Sequence, residues 1–310
     1  MLVPDLPLEK VEAIHMTRTR ILVPVSHANG RDPAFERGLA LARAFDAELH
    51  LIHAVPVERR FSSRAAQRLQ RFAELRKRAE AVKVPVETIE QNGDPADVIT
   101  LYADDRAVDL IVMTTERRTG WARLRQPSVA EKVVRRTTRP TLVVRQDDSG
   151  ASGFRDVLAA VDLSPTSNTV IDMAMQVSES DARRLTVIHA VESVEATGAV
   201  RSLARWIVPE YRGYVLEENR RRLETMMRDI EVDSTTQLRV ASGPAADAIV
   251  EHAADVNADL VVVGRSTRAM RRGATAIRVL RHSDRAILIV PQSPSRRFSD
   301  AKRPSLRRAA

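Results

Sequence analysis

No cysteine occurs in the 310 residues. That absence excludes disulfides, thiolate zinc sites, cysteine nucleophiles and CxxC redox chemistry, and it fits a reducing compartment. Aromatic residues make up only 4% of the chain, so its cores have to be built from Val, Leu, Ile and Ala, as in parallel α/β layers. No segment approaches the roughly 18 apolar residues that a membrane helix needs. Residues 1–16, MLVPDLPLEKVEAIHM, carry acidic side chains and no apolar h-region, so they do not read as a secretory signal. A cytoplasmic location without membrane attachment is the expectation. There is no HExxH, GxSxG, Walker-type GxxxxGK or EF-hand loop. The neighbouring carboxylates Asp104-Asp105 and Asp147-Asp148 fall at element ends or linkers, where nothing brings a catalytic pair together. Neither a catalytic residue nor a metal site is expected.

What the chain does contain is enough apolar material for two globular domains: 44% of its residues are hydrophobic. Its formal charge is +8, and the segment 293–310, SPSRRFSDAKRPSLRRAA, holds six basic residues against one acidic, so it carries +5 of that total. The folded part is therefore only mildly basic. A Pro/Ser/Arg tail of this kind has no core of its own and reads as a solvated, disordered segment. Contact with nucleic acid or an acidic partner is the alternative for it.

The same unit is written twice. ELHLIHAV (48–55) matches RLTVIHAV (184–191), and ILVPV (21–25) matches VLAAV (157–161), both at an offset of 136. NGDPADVI (92–99) matches SGPAADAI (242–249), and DLIVMT (109–114) matches DLVVVG (259–264), both at 150. EKVVRRTTRPTLVV (131–144) matches IRVLRHSDRAILIV (277–290) at 146. The second copy has gained 14 residues in mid-unit and lost 4 after its fourth strand. A polar stretch, RQDDSGASG (145–153), joins the copies. The division that follows is an N-terminal extension (1–16), a first domain (17–147), a linker (148–153), a second domain (154–292) and the basic tail (293–310).

Within the first copy, short apolar runs at 21–25, 48–55, 84–90, 109–114 and 140–144 read as strands, with helical patterns between them. Asp32-Pro33 and Asp94-Pro95 are N-cap and first-turn signals. Ser128-Val-Ala-Glu131 has the form of a capping box. Phe35, Leu39 and Ala42 fall on one helix face. Strand–helix alternation of this length means a parallel sheet with right-handed crossovers.

The ordered set resembles the universal stress protein family. It comprises the ILVPV strand, ELHLIHAV, Gly-Asp-Pro-Ala-Asp-x-Ile, Asp-Leu-Ile-Val-Met, and Ser-Val-Ala-Glu-Lys-Val-Val leading to Arg-Pro-Thr-Leu-Val-Val. The resemblance covers both halves. It implies an α/β fold of two tandem, doubly wound, five-stranded parallel sheets, Rossmann-like and of the adenine-nucleotide-alpha-hydrolase kind. It also implies that the last strands pair across a two-fold, giving an intramolecular pseudo-dimer.

Many members of the family bind ATP through Gly-x2-Gly-x9-Gly-Ser/Thr after the fourth strand, with an Asp at the end of the first. In the first copy the glycine positions hold Thr114, Arg117 and Pro127, the Asp position holds Ser26, and only Ser128 remains. Glycines let backbone N–H groups close around phosphate, and proline removes such a donor. Thr114, Ser26 and Ser128 therefore read as the remnant of a lost site, beside a loop rich in arginine (Arg117, Arg118, Arg123, Arg125). The second copy keeps Asp162, Gly264 and Gly273. It has Thr267 for the inner glycine and Ala274 for the serine, with Thr275 offering a hydroxyl one position late. Its loop is four residues short, and Arg265, Arg268, Arg271 and Arg272 could compensate through guanidinium–phosphate pairing. Solvated surface arginines are the plainer account of them.

His53 and His189 occupy equivalent strand ends, where bonding to backbone is the structural expectation. His50 lies three residues from His53, on the opposite face of the strand, so the two cannot share a metal. The insert ESVEATGAVRSLARWIVPEYRGYV (192–215) gathers Trp206, Tyr211 and Tyr214. Packing of these aromatics beneath a following helix, Leu216–Arg228, is the first expectation and self-association the second. The functional expectation is a non-catalytic stress-response or regulatory module. At most its second domain takes a nucleotide, such as ATP with Mg, or a small anion, and a homodimer is expected. The alternatives are a slow ATPase working through the second domain and a nucleic-acid or acidic-partner binder working through the tail.

Overall fold

The computed structural model describes residues 18–25, 31–56, 65–115, 127–148, 153–178, 184–191, 204–228, 230, 232, 235–265 and 274–292. Ser26, Thr267, Gly273, the arginines of the two loops other than Arg265, residues 192–203, the N-terminal extension and the basic tail lie outside them. The first half runs β1 (Arg20–Pro24), α1 (Pro33–Ala44), β2 (Glu48–Val55), α2 (Ala65–Ala81), β3 (Val86–Asn92), α3 (Pro95–Asp105), β4 (Leu110–Thr115), α4 (Val129–Arg136) and β5 (Thr141–Arg145). The second half repeats this as β6 (Asp156–Val161), α5 (Thr166–Val177), β7 (Arg184–Val191), α6 (Ala204–Arg228), β8 (Gln237–Ser242), α7 (Ala245–Asp255), β9 (Leu260–Arg265), α8 (Ala274–His282) and β10 (Ala286–Pro291).

The strands form one ten-stranded sheet in the order β3-β2-β1-β4-β5-β10-β9-β6-β7-β8. All neighbours are parallel except β5 and β10, which pair antiparallel with Leu142 opposite Leu288. Pairing of the two halves through their last strands is thus intramolecular. Successive strand residues serve opposite layers: Ile21 and Val23 pack with Phe35 of α1 and Leu75 of α2, while Leu22 packs with Ile99 of α3 and Val133 of α4. The same alternation holds in the second half, and each apolar layer runs unbroken across both halves. Residues buried on both faces explain why the strands read as continuous apolar runs.

The local signals act as their chemistry dictates. Asp32 and Asp94 cap α1 and α3, each accepting two backbone N–H groups. Gly93 and Gly243 follow β3 and β8 with φ of 145° and 128°, a conformation that favours glycine. Each donates its N–H to the preceding strand, to Val55 and Val191 respectively, at 2.9 Å. The Asp that precedes the fourth strand of each half ties down the start of the first. Asp109 accepts the N–H of Arg20 at 2.9 Å, and Asp259 accepts those of Arg155 and Asp156 at 2.8 and 3.1 Å.

Two expectations need correction. The capping box at Ser128 is only half formed. Ser128 Oγ accepts the Glu131 N–H at 3.1 Å, but the Glu131 carboxylate receives a two-point contact from Arg281 of the other half, at 3.1 and 2.7 Å. An ionic partner binds a carboxylate more strongly than a backbone amide does. The helix expected at Leu216–Arg228 begins at Ala204, so the second part of the insert continues it N-terminally. Tyr214 is 68% exposed on that helix and does not pack beneath it.

The junction is held by arginines. Arg145, buried at the end of β5, donates to the carbonyls of Leu280 (3.0 Å), Ser283 and Arg285 (3.2 Å) around the C-terminus of α8. The Leu280 carbonyl is among the groups a helix end leaves without intrahelical partners, and that of Arg285 lies just before β10. Arg37 of α1 pairs with Asp148 at 2.8 Å, and its guanidinium lies 4.0 Å from the ring centroid of Phe154 in the second half.

Candidate functional site

In a doubly wound sheet the crevice opens beyond the carboxyl ends of the strands where the order reverses. In the second half β6 and β9 are neighbours there, and the first turn of α5 begins beside them. A cavity of about 580 Å³ occupies this position. Asp162, Gly264, Ala274 and Thr275 all line it, so four of the six residues expected at this site are brought together. The other two, Thr267 and Gly273, lie outside the described residues.

The loop from β6 to α5 is shaped around Asp162. Leu163 takes a left-handed conformation, with φ of 58°, which is uncommon for a residue other than glycine and marks local strain. This bend lets Asp162 Oδ1 accept the Ser164 N–H at 3.1 Å and the Ser167 hydroxyl at 3.3 Å. The N-cap position of α5 is Pro165, and no side chain caps the helix. Its first residues, Thr166 and Ser167, line the cavity instead. Helix N-termini present N–H groups and a partial positive charge, the two features an anion needs. The sequence places Asp162 at the family's Asp position; Ser164 and Ser167, which hold it, are not among the site residues it suggests. A Ser-Pro-Thr-Ser run just ahead of a helix was the available signal.

Gly264 keeps this space open. A Cβ there would meet Val170 Cγ2 at 3.4 Å and Thr166 Cγ2 at 3.7 Å, ordinary packing distances, so the fold itself does not demand a glycine. Arg265, the next residue, also lines the cavity. Its guanidinium donates to the carbonyl of Val134 in α4 of the first half, and burial lowers its pKa. It therefore joins the cavity wall to the other domain and is not waiting as a solvated phosphate ligand.

The first half treats the equivalent crevice differently. Thr114 stands where Gly264 does, and its Oγ1 accepts the Ala34 N–H at 3.1 Å. Asp32 Oδ1 accepts the N–H groups of Ala34 and Phe35 at 3.1 and 3.2 Å. Two side chains from two elements thus occupy the start of α1. Burial raises the Asp32 pKa against the lowering effect of those N–H groups. Ser128 is engaged as the cap of α4, and Pro127 has no N–H to offer.

The paired histidines are structural. His53 Nδ1 lies 2.8 Å from the Val25 carbonyl and His189 Nδ1 2.9 Å from that of Val161, each tying the second strand of its half to the end of the first. His50 faces the other layer, where its Nδ1 is 2.7 Å from the Tyr102 hydroxyl. Among the described residues no helix is long and apolar enough to cross a membrane.

The sequence profile of the universal stress protein family matches residues 17–145 and again 153–291. Universal stress protein MJ0531 of Methanocaldococcus jannaschii is 30% identical over 139 residues, which cover 41% of this chain and 82% of that protein. Universal stress protein A homolog 1 of Coxiella burnetii is 35% identical over 112 residues, covering 36% of this chain and 76% of its own length. A solved universal stress protein from Archaeoglobus fulgidus superposes with a TM-score of 0.64 at 18% identity, covering 89% of this chain and all of that one. That last likeness concerns the fold.

Proposed function

Because the chain belongs to the universal stress protein family, we propose that it is a non-catalytic, asymmetric tandem member whose second domain binds a nucleotide or small anion and whose first domain is silent. The observation that carries this is the opposite treatment of two equivalent helix N-termini. That of α1 is filled by Asp32 and Thr114, whereas that of α5 carries no side-chain cap and borders the cavity beside Gly264. The cavity volume falls within the roughly 300–1,000 Å³ typical of small-molecule sites.

We infer a nucleotide, such as ATP with Mg, as the ligand class for these residues. Asp162 and Thr275 supply polar groups to the lining, and the first turn of α5 supplies N–H groups for an anion. The bound group would make the protein responsive to nucleotide level. The chain's own residues would orient it and exclude water from the apolar floor formed by Ile188, Val263 and Ile249. Asp162→Ala removes the carboxylate that shapes the β6–α5 loop. The variant is expected to lose the thermal shift that Mg-ATP gives the nucleotide-free protein, while its melting temperature without ligand stays within a few degrees. An undiminished shift in the variant would place the ligand elsewhere.

A further inference from the structure

Glu48 and His50 lie two residues apart on β2 and so share a face of the sheet. Strand register places Glu87 of β3 directly beside His50, on that same face. One ligand atom from each of the three lies within 4.8 Å of the other two. His50 is 2% exposed, and the two carboxylates beside it are 33% and 40% exposed.

The ring of His50 is oriented for this purpose. Its Nδ1 sits 2.7 Å from the Tyr102 hydroxyl. In the tautomer whose Nδ1–H donates to the phenol oxygen, Nε2 carries the lone pair. Nε2 is buried without a hydrogen-bond partner, 3.4 Å from Glu48 Oε2, and Glu87 Oε2 lies 3.8 Å from Nδ1 of the same ring. A histidine whose second nitrogen is fixed by a hydrogen-bond partner is the usual arrangement at metal sites.

The duplicated half offers an internal comparison. The residues equivalent to Glu48 and His50 are Arg184 and Thr186, and register pairs Thr186 with Gln237 where His50 faces Glu87. Arg184 there pairs with Asp156 instead. The same fold is built without any of the three groups, so packing of the sheet does not require them.

We propose that Glu48, His50 and Glu87 form a binding site for a divalent transition-metal cation of the zinc class, held by His50 Nε2 and the two carboxylates with water completing its shell. One neutral nitrogen and two carboxylates balance the charge of a divalent ion. An imidazole donor favours zinc and its neighbours over calcium or magnesium, which take oxygen ligands. Zinc–ligand bonds of about 2.0–2.2 Å require the carboxylates to swing inward by about 1 Å, which their exposure permits. Arg20, whose Nε is 3.9 Å from Glu48 Oε2, gives up a weak exposed contact when Glu48 turns to the metal.

The test uses the full-length, untagged protein stripped with a chelator and titrated with zinc chloride against a chromophoric competitor. Cobalt chloride is the spectroscopic probe. The expected result is one zinc ion per chain, with cobalt loaded into the stripped protein giving visible d–d absorption that zinc then abolishes. The Glu48→Gln, Glu87→Gln double variant should bind about 100-fold more weakly. Both positions are partly exposed, so its melting temperature without metal should match that of the parent, which separates lost ligation from lost folding. His50→Gln should abolish the cobalt bands. No zinc uptake by the parent, or uptake and cobalt spectrum unchanged in the double variant, would overturn the site.

Discussion

Gly264 and Thr114 are the penultimate residues of the equivalent strands β9 and β4. Thr114 Oγ1 accepts the Ala34 N–H at 3.1 Å, whereas a Cβ at Gly264 would meet only ordinary contacts with Val170 and Thr166. Gly264→Thr should therefore copy the first domain's closure into the second. We expect loss of the Mg-ATP thermal shift with little change in the melting temperature of the free protein; a retained shift would show that access to α5 is not what the glycine provides. Gly93 and Gly243 give a second comparison. Both need positive φ, so alanine at either should cost roughly 1–3 kcal/mol in denaturant unfolding. Gly93→Ala should cost more, because its Cβ would lie 3.0 Å from Val98 Cγ2 while nothing lies within 4 Å at Gly243. Equal costs would mean that Val98 yields freely. Such residue-scale partnerships were only partly legible in the sequence. The Gly93/Gly243 match was plain from the repeat, but Thr114 looked like a degraded glycine when it is a helix cap supplied from another strand. His50 was weighed against His53, three residues away, when its neighbours are Glu48 at two residues and Glu87 across the register.

The elements were the most legible level, because apolar runs, Asp-Pro starts and the internal repeat all point to the same alternation of strand and helix. Where sequence and structure part, a long-range contact has intervened. Glu131 leaves its capping box for Arg281, 150 residues on, and the insert extends α6 back to Ala204. The ends of strands β1 and β2 also carry a pH dependence. Burial lowers the pKa of His53, and of His50 on the opposite face, below the ordinary 6.5. A lowered histidine binds fewer protons folded than unfolded, so stability is fully present above pH 6.5 and is lost as the pH falls from there toward the folded-state values. The melting temperature should decline between pH 7 and pH 5, and His53→Gln should flatten part of that slope. A profile flat across this range in the parent would contradict the account.

At the scale of the molecule, the antiparallel pairing of β5 with β10 and the two unbroken apolar layers make the halves one cooperative body. The strand edges through which separate domains would associate are used up inside the chain, so any homodimer has to use other surface. Thermal unfolding should show a single transition. Arg145→Ala would strand the carbonyls of Leu280 and Ser283 at the end of α8 and that of Arg285 just before β10, and should cost about 2–3 kcal/mol. Calorimetry of the variant should show a lower or divided transition, and an unchanged profile would show that the arginine is dispensable to the junction. The sequence marked Arg145 only as the start of a linker, since nothing local shows that the chain folds back to place it against α8.

The duplication supplies two crevices, and the structure leaves one of the two adjoining helix N-termini without a side-chain cap. The most direct measurement is therefore the stoichiometry of Mg-ATP binding to the nucleotide-free, full-length protein by titration calorimetry at moderate ionic strength. The account predicts one site per chain, removed by Gly264→Thr and untouched by Thr114→Val. Two sites, or one site that survives Gly264→Thr, would contradict it, as would the absence of any heat together with the absence of a thermal shift.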